Sequence, residues 1–492
     1  DDLGLIKVGP ESAGSKPGPI CYNSGGDKIT ITDINLLLGY LSDSIKLAGY
    51  LKIDKQLTKN TVDKIASQSK YTSLELITGI RSIVNENMSQ AIKLHVTEKG
   101  EDPREFILYA FGGAGPLHAY DICTSIGIKT IIVPNRAGIL SSYGFLSSQV
   151  GLEKYYTYIK LLKDVKLLNL KQFISKNIKD IFKLIKFSKI KEEDFVIDIY
   201  LEMRYEGQGF DLSIKINNNI SINNIEKLFK KRYNELYGLS LNYNIQISSL
   251  KLLINEKNSK DIQDTIRLEH INSSVTKFRK VWFSDTKSWV DCKILDFDNI
   301  PINIPQKGPT IIESKNTTIV VGVYGNYVKK SNGDIKISIL DKNIILNSFD
   351  YNNPVNLEII LARIRSIADE ADKILLKTSF SSAVRDGKDY SLVISDKNGK
   401  CVGIPTECMP LFITCMPRTI RIISEMFDSR LKPGDIILTN DPWIGSGHKS
   451  DVALISPLFL NNKLNGFIGT ILHVADIGGT IGDFRAWDFY EE

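Results

Sequence analysis

The sequence predicts an α/β protein of several domains, and three stretches carry that reading. Ile107–Phe111 is an apolar run that ends in Gly112-Gly113-Ala114-Gly115 with Pro116 behind it, the pattern of a strand turning into a helix. From Lys277 to Leu340 short alternating runs such as VWFSDTKSWVDCKIL follow one another, as in a small β-rich domain. Val452–Leu460 and Leu464–Leu472 are apolar, β-branched runs separated by Asn461-Asn462-Lys463, a β-hairpin with a three-residue loop. At 492 residues the chain is too long for one ordinary domain and should hold roughly three.

Taken in order, the chain opens with a Gly/Pro-rich loop, Gly9–Tyr22, either punctuation between elements, the favoured reading, or a backbone surface that a ligand can approach closely. A short strand, Ile29–Thr32, is expected to lead into a helix after Asp33. Ser73–Leu94 reads as a helix, with Thr72 and Glu75 as its capping box and Ile77, Ile80, Val84, Met88 and Ile92 along one core face. His95 at its end is a structural histidine. The glycine turn at 112–115 then presents a helix N-terminus, which suits either phosphate binding or tight strand-to-helix packing. Thr130–Pro134 is a further strand.

Residues 155–200, rich in Lys, Ile and Leu, are expected to be helical. Tyr200–Ile216 reads as two strands around Glu206-Gly207-Gln208-Gly209, Ile225–Tyr237 as a helix and Ile245–Ile254 as a strand. Asn347–Pro354 is the clearest linker; Leu357–Lys377 is an amphipathic helix, and Tyr390–Cys401 a strand–turn–strand.

Composition narrows the class. With 42% hydrophobic and 24% charged residues the chain has ample core. A net charge of +5, with Lys dispersed among Ile and Asn, gives no basic stripe for nucleic acid. No apolar run reaches the roughly 18 residues of a membrane span, so no membrane partner is expected. The six cysteines lack a C-x-x-C pair, and reduced thiols in a cytoplasmic protein are expected. Cys401, Cys408 and Cys415, seven residues apart, are assigned a buried structural role.

The chemistry gathers at Thr439–Gly479. His448 and His473 are each followed three residues later by an aspartate, Asp451 and Asp476. Pairing Leu460 with Leu464 sets a register in which Asp451 lies opposite His473. A two-residue loop would place Leu472 there instead. His448, three residues upstream in a Gly-rich loop, folds back toward the pair. Two imidazoles and a carboxylate make either a metal site with open positions or ordinary polar groups at a sheet rim. Asn440 and Asp441, in the NDP loop, either orient the ligands or form a plain Asx turn.

Several of these stretches resemble one family, the hydantoinase/oxoprolinase proteins. Gly9–Tyr22, Phe111–Ala119 (FGGAGPLHA), Ala137–Gly144, Arg204–Gln208 (RYEGQ) and Gly308–Val321 are similar to landmarks of its A-type component. Pro354–Lys400, Asn440–Asp451 and His473–Gly479 are similar to its B-type component. The resemblance implies part of an actin-like (RNase H-like) ATPase domain over residues 1–148. It implies a mixed α+β and β-rich region over 149–345, and the N-terminal part of a B-type α+β domain over 346–492. It also implies ATP with Mg²⁺, phosphate transfer to a carbonyl oxygen, and a divalent metal (Mn²⁺, Zn²⁺ or Fe²⁺) held by His448, Asp451 and His473. Gly112, Gly113 and Gly115 fall at the nucleotide. Asp476 is carried as a supporting carboxylate or general base, with Asn440 and Asp441 beside it as the other catalytic candidates.

Three departures accompany the resemblance. The family's D-x-G-G-T-x-T-D phosphate loop is absent, so the chain is expected to be a fragment of a longer polypeptide that does not turn over alone. Val474 stands where many relatives carry a second histidine. Arg385-Asp386-Gly387-Lys388-Asp389-Tyr390 replaces an E-R-x-D-F stretch, and only Asp389 matches. The expected function is ATP-dependent hydrolysis of a cyclic amide such as a lactam or hydantoin. A ketone carboxylase and a non-catalytic partner subunit are the alternatives, and a homo-oligomer or an A/B-type assembly is the expected state.

Overall fold

The computed structural model describes residues 6–43, 51–97, 99, 101–148, 151–185, 192–217, 221–257, 277–340, 353–427, 430–447 and 449–474. The chain divides into two compact units. One comprises Asp1–Thr97, Glu101–Ser147 and Asp261–Ala362; the other comprises Glu98–Gly100, Ser148–Lys260 and Arg363–Glu492. Among the described residues no helix is long and apolar enough to cross a membrane.

In the first unit, helix α1 (Ser73–Thr97) starts at the expected capping box. The Thr72 amide donates to Glu75 Oε2 (2.8 Å), and the Glu75 amide donates to Thr72 Oγ1 (3.2 Å). Helix α2 (Gly115–Ile126) follows the glycine turn. The strand before that turn is shorter than expected, Leu108–Tyr109, and pairs in parallel with Thr130–Val133. These two join Ile335–Ile339, Gly325–Lys329 and Gln306–Lys307 in a five-stranded sheet. Thr318–Val321, Thr310–Glu313, Ser288–Asp296 and Lys277–Phe283 form a four-stranded one. Ile122, Cys123 and Ile126 of α2 bury with Ile131, Ile312, Val321, Ile335 and Ile337.

The expected strand at Ile29–Thr32 is instead the start of a helix, Ile31–Leu37. Thr30 and Asp33 form a capping box, and the Asp33 carboxylate also accepts from the Ile20 and Cys21 amides at 3.2 and 2.7 Å. That anchoring outweighs the β-branched run.

The second unit holds two antiparallel sheets. In the first, Gly151–Leu161, Ile245–Glu256, β1 (Phe195–Tyr205) and β2 (Leu212–Ile216) lie in that order. Helices Leu167–Ile185 and Ile222–Tyr237 pack their apolar residues into its core. The helical expectation for 155–200 therefore holds only for the middle of that span. Gly151–Leu161 largely alternates exposed and half-buried side chains, the period of a strand.

The other sheet carries the candidate chemistry. After Pro354–Thr378 come the short helix α3 (Ser382–Arg385), β3 (Tyr390–Asp396), Cys401–Gly403 and helix α4 (Pro410–Phe427). Then follow β4 (Ile437–Thr439), β5 (Asp451–Leu460) and β6 (Lys463–His473). The sheet order is Cys401–Gly403, β3, β6, β5, β4. Phe412, Met416, Ile420 and Ile423 of α4 bury against Val393, Ala453, Ile455, Phe467 and Ile471. All six cysteines are free thiols; Cys401 is exposed and Cys408 and Cys415 are half-buried, so none of these three has the buried place assigned to it. Residues 347–352 of the expected linker lie outside the described residues.

Candidate metal and nucleotide sites

The hairpin of β5 and β6 places Asp451 opposite His473, the expected pair, by a different route. The loop has two residues, not three. Leu460 pairs with Lys463, and Asn461 and Asn462 both take left-handed backbone (φ 51° and 60°), the geometry of a type I′ turn. Left alone, that turn would set Leu472 against Asp451. Between Leu458 and Phe459 the register shifts, because Phe459 pairs with Leu464 while Leu458 pairs with Gly466. Asn465 is the extra residue of a β-bulge, and it restores the pairing of Asp451 with His473.

The pair is bonded as well as aligned. His473 Nδ1 lies 3.0 Å from Asp451 Oδ1 and, because a carboxylate only accepts, donates to it. Ser446 Oγ donates to Asp451 Oδ2. The Asp451 carboxylate is buried, whereas the His473 side chain is 22% exposed. On the other flank the His473 amide donates to the Asp389 carbonyl (3.0 Å), and Asp389 Oδ2 is 3.9 Å from His473 Nδ1. Ser381, the N-cap of α3, donates to the His473 carbonyl (3.1 Å). Three strand ends thus set Asp389, His473 and Asp451 in one row. Asp389 was not among the expected site residues. Only its match to a family motif marked it, since nothing local shows that β3 lies beside β6.

Of the other expected groups, His448 and Asp476 lie outside the described residues. Asp441 serves the turn: its carboxylate accepts from the Trp443 amide (2.8 Å) and its carbonyl from the Gly445 amide (2.8 Å). Asn440 Nδ2 donates to the Lys449 carbonyl (3.4 Å), closing the same loop. Among the described residues no group of three or more His, Cys, Asp or Glu side chains is placed to hold a metal ion. A buried carboxylate bonded to a partly exposed imidazole is nonetheless a donor set that fits a divalent cation, as in carboxylate–histidine–metal arrangements.

In the first unit the glycine turn is open. Gly112 is left-handed (φ +88°), and a side chain at Gly112 or Gly115 would meet no atom within 4 Å. Thr317 Oγ1 donates to the Gly112 and Gly113 carbonyls (3.0 and 3.2 Å). No side chain caps the N-terminus of α2. Pro116 has no N–H and the Leu117 amide donates to the Ala114 carbonyl (3.1 Å), so the positive dipole end of α2 and the turn that precedes it are what suit an anionic group.

Beneath that turn lies a buried polar network that sequence reasoning missed. Arg81 donates to Asn35 Oδ1, to the Leu117 carbonyl (2.9 Å) and to Asp121 (3.0 Å), and stacks on Tyr40. Asn85 Nδ2 donates to Asp121 Oδ2 (3.0 Å). His118 bridges the two amides, with Nδ1 2.7 Å from Asn85 Oδ1 and Nε2 3.3 Å from Asn35 Nδ2. Arg81 can only donate and Asp121 can only accept, so both amides have fixed orientations and His118 is held neutral with its proton on Nδ1. Burial, with the Arg81 charge second, pushes its pKa down to about 3.

Comparison with known proteins identifies the family. Residues 1–154 match the hydantoinase/oxoprolinase family model, 169–326 the hydantoinase/oxoprolinase C-terminal domain, and 353–492 hydantoinase B/oxoprolinase. The chain is 28% identical to the 5-oxoprolinase of Saccharomyces cerevisiae, a match that covers 97% of this chain and 39% of that protein. The crystal structure of ATP-dependent caprolactamase from Pseudomonas jessenii superposes with a TM-score of 0.63 at 26% identity, over 69% of this chain and 51% of that one. Nucleotide-free acetone carboxylase shares the fold, with a TM-score of 0.53 at 21% identity over 68% of this chain and 50% of that one. The chain spans well under two thirds of the length of each of these relatives. Three family models in sequence order across nearly the whole chain place it in the hydantoinase/oxoprolinase family.

Proposed function

We propose that this chain is part of an ATP-dependent enzyme that opens a cyclic amide, with the row Asp389–His473–Asp451 as the observation that carries the reading. On this reading residues 1–148 serve the nucleotide and residues 346–492 the metal, with residues 149–345 joining them in sequence. The names of its relatives support a lactam as substrate, since caprolactamase and 5-oxoprolinase both act on rings of that kind.

A divalent metal bound here would supply Lewis acidity at the carbonyl and a nucleophilic water at neutral pH. His448 and His473 would hold it, with Asp451, the third of the expected group, supporting His473 from Nδ1. Asp451 orients the His473 ring by accepting from Nδ1, and Ser446 fixes the carboxylate in turn. The main-chain bonds of His473 to Asp389 and Ser381 stop the strand end from fraying. Asp476 is the supporting carboxylate or base, and the Asn440–Asp441 turn shapes the loop. The turn of Gly112, Gly113 and Gly115 would hold phosphate oxygens of ATP through the N–H groups of Gly113, Ala114 and Gly115, and transfer of the terminal phosphoryl group to the carbonyl oxygen, with ADP leaving, turns a poor electrophile into one with a good leaving group.

The test is phosphate release by the full-length protein with caprolactam and with 5-oxoproline, in the presence and absence of bicarbonate. Turnover that needs a cyclic amide, ignores bicarbonate and is lost in His473→Ala is the expected result. Turnover that requires a ketone and bicarbonate would overturn the reading in favour of a carboxylase.

A further inference from the structure

The RYEGQ stretch has no part in the chemistry above, yet it builds the wall of a cavity. In the second unit Arg204, Gly207, Gln208, Gly209, Arg385 and Asp386 line an open polar pocket of about 350 Å³. The turn after β1 and the end of α3 meet there. Arg385 Nη1 donates to the Gly207 carbonyl (2.6 Å). Gly207 is left-handed (φ +93°), and a Cβ on Gly209 would come within 2.0 Å of Arg385 Cδ, so the glycines leave the guanidinium its place. Gln208, buried at 3% exposure, locks the turn by donating to Tyr233 Oη (2.8 Å) and to the Thr378 carbonyl (3.0 Å).

Arg204 is only loosely paired, and Arg385 is paired with a carboxylate that faces solvent. Arg204 donates from Nε to Gln246 Oε1 (3.1 Å), and its nearest carboxylate, Asp211, is 3.7 Å from Nη1. Arg385 presents its fork to Asp386 in two parallel bonds of 2.9 and 2.7 Å. Asp386 is the adjacent residue and its side chain is 63% exposed. A bidentate fork filled by a solvent-facing neighbour is a fork that an incoming carboxylate or phosphate can take over.

We propose that this pocket is a binding subsite for a small oxyanion, carboxylate or phosphate, gripped by Arg204 and Arg385, with Asp386 as the internal group it displaces. Helix α3 joins the subsite to the metal row, since Arg385 closes the helix and its N-cap Ser381 holds the His473 carbonyl. An anion bound here sits on the loop that positions His473. The inference does not depend on the reaction proposed above.

Calorimetry on the full-length protein, without nucleotide or metal, tests it with inorganic phosphate, 5-oxoproline and the uncharged caprolactam as probes. Arg204→Gln should weaken anion binding at least tenfold. Asp386→Asn, which removes the competitor, should strengthen it at least threefold, an effect that a purely structural role would not give. Caprolactam binding should not respond to either change. Response with phosphate alone assigns the subsite to a phosphoryl group, and response with 5-oxoproline assigns it to a substrate carboxylate. The proposal fails if neither anion binds, or if either substitution leaves anion affinity unchanged.

Discussion

His118 offers a direct test of how the glycine turn is held. Its ordinary pKa is 6.5 and its folded value is about 3. Between those values an opened state that exposes His118 takes up a proton while the folded state does not, so stability is lost as pH falls from 6.5 toward 3. At pH 4.5 the loss relative to pH 6.5 is about 2–2.5 kcal/mol, roughly fiftyfold in the opening equilibrium. Burial is the main cause and the Arg81 charge the second; a proton on Nε2 would in addition face the Asn35 amide, which Arg81 holds with its N–H toward the ring. Amide hydrogen exchange of α2 at the two pH values, corrected for intrinsic rates, reads the effect. Wild-type protection should fall by that factor, and His118→Gln should remove most of the difference. Equal pH dependence in the two proteins would show that His118 does not carry it.

Three further outcomes follow from the geometry. Asp451→Asn should lower divalent-metal affinity of the full-length protein at least roughly tenfold, the usual effect of losing a carboxylate that orients or joins a ligand set; equilibrium dialysis with Mn²⁺ or Zn²⁺ checks it, and wild-type affinity in the variant would remove Asp451 from the site. Deleting Asn465 should give a regular hairpin that still pairs Asp451 with His473, with metal affinity unchanged; a loss of metal would show that the bulge itself shapes the site. Gly112→Ala, at a left-handed position, should cost about 1–2 kcal/mol of stability, whereas Gly115→Ala meets no atom and should leave the melting temperature unmoved. Any fall in ATP affinity in Gly115→Ala is then a direct effect on binding.

What could be read from the sequence was local. The capping box at Thr72 and Glu75, the helices Ile222–Tyr237 and Pro354–Thr378, and the glycine turn all declare themselves within a few residues. Gly151–Leu161 hid behind the Lys-, Ile- and Leu-rich composition of the span it opens, although its side chains alternate. The row of Asp389, His473 and Asp451 was only partly legible. A hairpin joins two of its members, while β3 reaches the third from a distant part of the chain. The Arg81–His118 network was illegible for the same reason, since its partners come from α1, α2 and the helix Ile31–Leu37.

The hairpin shows why a mistaken loop still led to the right pair. In the observed register Ala453 pairs with Ile471 and Ile455 with Gly469, small against large, on the face that α4 covers. Gly469 is needed there, because a Cβ would come within 2.6 Å of Met416 Sδ. Slipping β5 by one residue would turn Val452 and Leu454 inward in place of Asp451 and Ala453. It would press Leu454 into the space that Ala453 leaves for Ile471. Such overpacking costs about 1–3 kcal/mol per site, and a slip also strands the buried Asp451 away from Ser446 and His473. A bulge at Asn465 forfeits about one ladder bond, on the order of 1 kcal/mol. Burial therefore sets the register and the turn adapts to it. The alignment of Asp451 with His473 follows from side-chain volumes several residues away, so core substitutions at Ala453 or Gly469 should disturb the site as surely as changes in the loop.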